Sequence, residues 1–160
     1  AEMDAFRVDV QTADFDPGAE IAALGGTHGE IGAVASFVGL VRADAQEGEH
    51  ADDALQALTL EHYPGMTEQA LADIVATART RWRCDAIRVI HRYGRLAVGA
   101  RIVFVGVASG HRGDAFEACA FIMDYLKTQA PFWKREERTS GQRWVEARAS
   151  DDEAVARWQE

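Results

Sequence analysis

The run Ser109-Gly110-His111-Arg112-Gly113-Asp114-Ala115-Phe116 leads to Lys127 and then to Pro131-Phe132-Trp133-Lys134-Arg135-Glu136. Two basic side chains stand at the start of a predicted helix and one near its end. Two more follow a proline that the helix cannot easily cross. In a chain of formal net charge -9, this concentration makes a local positive site. Such a site suits a small, anionic, phosphorylated ligand. Backbone N–H groups at a helix N-terminus lack intrahelical partners and carry partial positive charge. Gly110 and Gly113 let a ligand approach the backbone, and an arginine fork such as that of Arg112 can grip a phosphate through two hydrogen bonds.

Each of these residues also has a plainer reading. Arg112 can be solvated, His111 packed and Asp114 a helix cap. Lys127, one turn after Met123, can simply complement the helix dipole. Alternatively, burial or neighbouring cations lower its pKa, so that it serves as acid, base or amine nucleophile. Pro131 fixes the exit of the chain and can aim Lys134 back toward Lys127. Phe132 and Trp133 suit a core as readily as a stacking platform. Arg42 ends a predicted buried strand just before an acidic stretch, where it either faces a pocket or sits in solvent. His62 and His91 each precede a turn and read more simply as structural.

Several chemistries are excluded. Gly106-Val107-Ala108-Ser109-Gly110 is not G-x-S-x-G, so no serine-hydrolase elbow is present. No G-x-x-x-x-G-K-[ST] loop occurs. The five histidines show no metal-ligand spacing, so neither a metal nor a resident cofactor is expected. Cys84 and Cys119 form no C-x-x-C pair and read as reduced thiols. With 26 acidic against 17 basic residues, nucleic acid and anionic membrane are poor partners. No apolar run approaches the roughly 20 residues that span a bilayer. The opening Ala1-Glu2-Met3-Asp4 lacks the basic and apolar regions of a signal peptide, and a cytoplasmic protein is expected.

The elements that must position these residues can be sketched from pattern. A length of 160 residues, 48% of them hydrophobic, fits a single domain over residues 1–160. Residues 6–10 alternate as a half-buried strand. Asp16-Pro17 caps a short helix that ends at Gly25-Gly26. Strands are expected over 31–41, 55–63, 86–93, 100–109 and 142–147. Residues 43–53 read as an acidic, mobile loop and 94–99 as a turn. Amphipathic helices are expected over 66–82 and 113–128. Ser150 and Glu153 form a capping box for a last helix reaching Trp158. Pairing of 86–93 with 100–109 favours a mixed or antiparallel sheet in an α+β fold.

Over Ile31 to Trp158 the chain resembles the family of molybdopterin synthase catalytic (large) subunits. The blocks that carry the resemblance include Phe37-Val38-Gly39-Leu40-Val41-Arg42 and Glu61-His62-Tyr63-Pro64-Gly65-Met66. Val89-Ile90-His91-Arg92, Ser109-Gly110-His111-Arg112 and Asp124-Tyr125-Leu126-Lys127 continue it. Pro131-Phe132-Trp133-Lys134-Arg135-Glu136 and Arg143-Trp144-Val145-Glu146-Ala147-Arg148 complete it. The acidic stretch after Arg42 is longer than the family usually has, and Gly110 stands where relatives often carry another small residue.

The resemblance implies an α/β-hammerhead with an additional antiparallel β-sheet. It implies a homodimer at the core of a heterotetramer, each end carrying a small ubiquitin-like sulfur-carrier subunit with a C-terminal Gly-Gly thiocarboxylate. The implied substrate is cyclic pyranopterin monophosphate, and two sulfur transfers build the dithiolene. Carried over residue by residue, Leu40, Val41 and Arg42 fall on the substrate-binding strand end, and His111 and Arg112 on the anion-binding pair. Lys127 falls on the catalytic lysine, and Lys134, Arg135 and Glu136 on the second essential segment. Arg148 is implied to reach the neighbouring protomer's site.

Overall fold

The computed structural model describes residues 5–26, 29–43, 54–145 and 149–159. The expected acidic loop over 43–53 lies almost wholly outside these, and Arg148 does also.

The most β-prone run in the chain sets the plan. Arg101–Ser109 (β6) is rich in β-branched residues and buried along nearly its whole length. It pairs antiparallel with Ala33–Leu40 (β2) on one side and with Ala86–Arg92 (β4) on the other. Phe6–Gln11 (β1) adds to β4 in parallel, giving the order β1-β4-β6-β2. Alternate side chains of β6 point to opposite faces. Val103, Val105 and Val107 enter a core with Leu71, Ile74, Ala118, Phe121 and Ile122. Those partners lie on Met66–Arg81 (α2) and Arg112–Gln129 (α3). Phe104 and Ala108 enter a smaller core with Phe15 and Leu24; Leu24 belongs to Pro17–Leu24 (α1), whose Asp16 cap accepts from the Gly18 and Ala19 N–H groups.

Gly94 has φ +92°, a backbone conformation nearly closed to other residues. The chain bends there out of the first sheet and into the second, which is antiparallel throughout. Its strands are Leu55–His62 (β3), Gly94–Ala97 (β5), Phe132–Arg138 (β7) and Gly141–Val145 (β8), in the order β5-β3-β7-β8. The two sheets meet over a third cluster, in which Val41, Leu60 and Leu96 are buried with Phe132, Tyr93 and Ile102 packed against them. Ala149–Ala156 (α4) closes the described chain. This is the α+β architecture with an added antiparallel sheet.

Three details differ from the sequence expectations. Residues 94–97 form a strand rather than part of a turn, because they pair with β3. Residues 132–138 form β7, which charge-rich Phe-Trp-Lys-Arg-Glu-Glu-Arg does not announce. The last helix starts at Ala149, one residue before the expected cap Ser150.

Candidate functional site

The candidate residues fall into two groups. The first gathers where the sheets meet. Leu40, the last residue of β2, is 53% exposed, while Val41 is 1% exposed and packs in the Leu60–Leu96 cluster. The Val41 N–H donates to the Ala100 carbonyl at 2.9 Å, and its own carbonyl accepts from Gly99 N–H at 2.7 Å. This anchor delivers the exposed Arg42 to the start of β6. Lys134 sits on β7 opposite Leu60. Cross-strand partners share a face, so Lys134 lies on the same side of the sheet as Leu60 and Phe132. Lys127 is exposed in the last turn of α3. Helix α3 turns back directly after β6, so its C-terminus returns to this end of the molecule.

The second group is His111 and Arg112, at the N-terminus of the same helix. His111 is the N-cap and Arg112 the first helical residue, both exposed. The buried Ser109 hydroxyl fixes this corner, donating to the Arg83 carbonyl at 2.6 Å and accepting from His111 N–H at 3.4 Å. That geometry also removes Ser109 as a nucleophile. Fifteen residues of helix separate Arg112 from Lys127, about 22 Å at 1.5 Å per residue. Arg42 and His111 are likewise separated by the length of β6, about 26 Å. A single chain therefore does not bring the two groups around one phosphate.

Ionic partners sharpen the division. Among the described residues, eight arginines form ion pairs with Asp or Glu: Arg7, Arg88, Arg92, Arg95, Arg101, Arg138, Arg143 and Arg157. Among the described residues Arg42, Arg112 and Lys127 make none. Glu136 is committed: its carboxylate accepts from Arg138 Nε at 2.6 Å and Arg143 Nε at 3.1 Å. Burial works to raise its pKa, but the two guanidiniums outweigh burial and hold it below the usual range. Strand alternation turns Arg135 to the opposite face from Lys134, where its guanidinium lies 5.7 Å from the Trp144 ring.

Next to Lys134, His91 is 7% exposed and stacks on Phe132 at 3.8 Å between ring centroids. Its Nδ1 donates to the Arg92 carbonyl at 2.9 Å. Burial pushes its pKa down to about 4 and the Lys134 charge works in the same direction, so the ring is neutral at pH 7. Both cysteine thiols are pushed up to about 11, chiefly by burial. They are protonated at neutral pH and unsuited to act as nucleophiles. A groove of about 460 Å³ between β1 and α2, lined in part by Phe6, Glu68, Gln69 and Arg79, contains none of the candidate residues.

The family model for the MoaE protein matches residues 10–129. The chain belongs to the MoaE family. A Ralstonia nicotianae protein named molybdopterin synthase catalytic subunit is 57% identical over 151 residues, covering 94% of this chain and 83% of its own. The solved molybdopterin biosynthesis MoaE protein from Burkholderia ambifaria superimposes with a TM-score of 0.76 at 51% identity, covering 94% of this chain and 96% of its own. A complex of subunits 1 and 2 of the molybdopterin-converting factor from Helicobacter pylori shares the fold, with a TM-score of 0.67 at 17% identity over 90% of this chain and 92% of its own. The MoaE match takes in Arg42, His111, Arg112 and Lys127 and stops before Lys134.

Proposed function

We propose that this chain transfers sulfur from the thiocarboxylated Gly-Gly tail of a small carrier subunit to cyclic pyranopterin monophosphate, making the molybdopterin dithiolene. The reading is supported by relatives named molybdopterin synthase catalytic subunits. It is supported also by the course of three segments, the end of β2, the last turn of α3 and β7, which carry Arg42, Lys127 and Lys134 toward the junction of the two sheets in a protein of net charge -9. Such a junction attracts a phosphate and a carboxylate while the rest of the surface repels them.

The roles follow from chemistry. Arg42 binds the substrate phosphate, and Lys134 stabilises the carrier carboxylate and the oxyanions that develop during transfer. Lys127 moves the proton released or required as the cyclic phosphate opens. The thiocarboxylate sulfur bonds to a substrate carbon as a carbon–oxygen bond there breaks, the oxygen leaving on the opened phosphate in one transfer and as water in the other. Water then cleaves the sulfur–acyl bond, leaving sulfur on the substrate and a carboxylate on the carrier. No cysteine of this chain is needed. The carrier tail binds extended, its narrow end guided by main-chain hydrogen bonds.

Arg112 and His111 join this site from a second copy of the chain. The edge strand β2 runs between the two groups: its Leu40 end adjoins Arg42, and its Ala33 end pairs with Ser109. Antiparallel pairing of two copies along β2 places the His111 and Arg112 of each beside the Arg42 of the other. A two-fold axis then yields two equal sites. The dimer forms the core of a heterotetramer with one carrier at each end, each chain acting as one domain in the cytoplasm. Arg148 joins the neighbouring site in the same reading.

Incubation with the phosphopterin precursor and thiocarboxylated carrier, followed by mass spectrometry for the dithiolene, tests the reaction. A Lys127→Ala variant keeps its fold and its carrier binding and loses most product formation; near-normal turnover removes Lys127 from the mechanism.

A further inference from the structure

Among the described residues, four polar or charged side chains are buried: Thr67, His91, Ser109 and Arg138. Each is attached to a segment that carries a candidate site residue. Ser109 holds the corner before His111, and Arg138 holds Glu136. The other two converge on the short link between Lys127 and Lys134.

Thr67 is 0% exposed, in the first turn of α2. Its hydroxyl accepts from the Tyr63 N–H at 3.0 Å and donates to the Pro131 carbonyl at 3.0 Å, across 64 residues of sequence. His91, at the end of β4, stacks its ring on Phe132 with an interplanar angle of 20°. Two elements of different origin thus grip consecutive residues, Pro131 by its backbone and Phe132 by its ring. Phe132 stands two residues before Lys134 on the same strand face. Ala130 ends α3 three residues after Lys127, its N–H still bonded to the Leu126 carbonyl. The helix is seated on the first sheet and β7 in its ladder with β3, and the link is where these two lysine-bearing segments are joined.

We infer that Thr67 and His91 are positioning residues of the sulfur-transfer site, clamping Pro131 and Phe132 so that Lys127 and Lys134 are presented to one substrate at a fixed separation. Neither touches substrate. The inference rests on the roles proposed above for the two lysines. Loss of this hydroxyl leaves the Tyr63 N–H and the Pro131 carbonyl without their partner, at a modest cost in stability. The hydroxyl is not replaceable for placing a lysine amine, because a shift of about 1 Å in a reacting group can cost up to 10²-fold in rate.

The test compares Thr67→Val, Thr67→Ser, His91→Leu and His91→Phe with Lys127→Ala and Lys134→Ala, in the complex with thiocarboxylated carrier. Thermal unfolding is measured on each, and kcat and KM for the phosphopterin separately. Thr67→Val is expected to be folded at the assay temperature, to keep KM within about twofold and to lose about tenfold or more in kcat. Thr67→Ser, which retains the hydroxyl, recovers most of that loss. His91→Leu loses kcat in the same way, and His91→Phe, which keeps the stack, does not. If folded Thr67→Val turns over normally, or if Thr67→Ser is as slow as Thr67→Val, the clamp is refuted. Should Thr67→Val not fold, the His91 pair decides: equal kcat in His91→Leu and His91→Phe refutes it. Full activity in Lys127→Ala and Lys134→Ala sinks the proposed reaction roles instead, so the two failures are distinguishable.

Discussion

Mixing two inactive variants should restore activity, and the extent of recovery follows from the geometry. Arg112 and Lys127 stand at opposite ends of α3 (residues 112–129), about 22 Å apart along the helix. If the site takes Lys127 from one chain and Arg112 from its partner, then Arg112→Ala and Lys127→Ala homodimers each carry one defect in both sites. In a mixed dimer the defects segregate: one site has both side chains intact and the other has neither. Random reassociation of equal amounts makes half the dimers mixed, so about one quarter of all sites are intact and about one quarter of wild-type turnover returns. Isolation of the mixed dimer with two affinity tags raises this to about one half.

The same geometry supplies a control. In the proposed arrangement Arg42 and Lys127 come from the same chain, so mixing Arg42→Ala with Lys127→Ala leaves one defect in every site and should restore nothing. The assay is dithiolene formation with saturating carrier, after subunit exchange verified by tag co-purification. Verified mixed dimers of Arg112→Ala and Lys127→Ala that stay as inactive as their parents would refute the shared site. Recovery in the Arg42→Ala control would refute the grouping of Arg42 with Lys127.

Three further outcomes are expected. His91 has its pKa lowered from 6.5 to about 4, so the unfolded chain takes up a proton that the folded chain refuses as pH falls from about 6.5 to 4; stability is full above that window and drops by up to about 3 kcal/mol across it. Urea melts at pH 7 and pH 4 should show a smaller acid loss in His91→Phe than in wild type; equal losses would contradict this. Arg138→Met leaves the half-buried Glu136 carboxylate with Arg143 but without its 2.6 Å partner and should lower stability by about 2 kcal/mol, read from the denaturation midpoint, while a change under 1 kcal/mol would show the pair to be dispensable. A Cβ on Gly32 would stand 2.3 Å from the Gly110 carbonyl oxygen, so Gly32→Ala pushes the chain before His111 aside; turnover should fall more in Gly32→Ala than in Gly25→Ala, where φ is -64° and a Cβ stands 3.5 Å from its nearest neighbour.

Where local pattern and tertiary role agree, the sequence is easily read. β6 and α3 (residues 101–109 and 112–129) are of this kind, because one runs through the centre of a sheet and the other presents a single apolar stripe to it. The strands missed or shortened are those made by their neighbours. Gly94–Ala97 is only four residues long and becomes a strand by pairing with residues 57–60. Phe132–Arg138 has no period-two hydrophobic signal, because its inward charges are neutralised by contacts that the sequence does not display, such as Arg138 on Glu136. The pairing of residues 86–91 with 103–108 was legible, but the strand inserted between them was not.

The candidate site shows the same division. The candidate residues could be named from the basic run and from the family resemblance. Where they stand relative to one another could be read only in part. Residues 109–136 are a compact stretch of sequence, and their cations look like one cluster, yet a helix over 113–128 already implies that its two ends are more than 20 Å apart. A positive charge at each end of one rod cannot serve one phosphate unless a second rod runs beside it in the opposite sense. Linear clustering of cations around a helix is therefore better evidence for a two-chain site than for a one-chain pocket. The contacts inferred to set the lysines in place, the Thr67 hydrogen bond to Pro131 and the His91 stack on Phe132, left no trace in the sequence, since each partner is ordinary by itself and acquires its role from an element dozens of residues away.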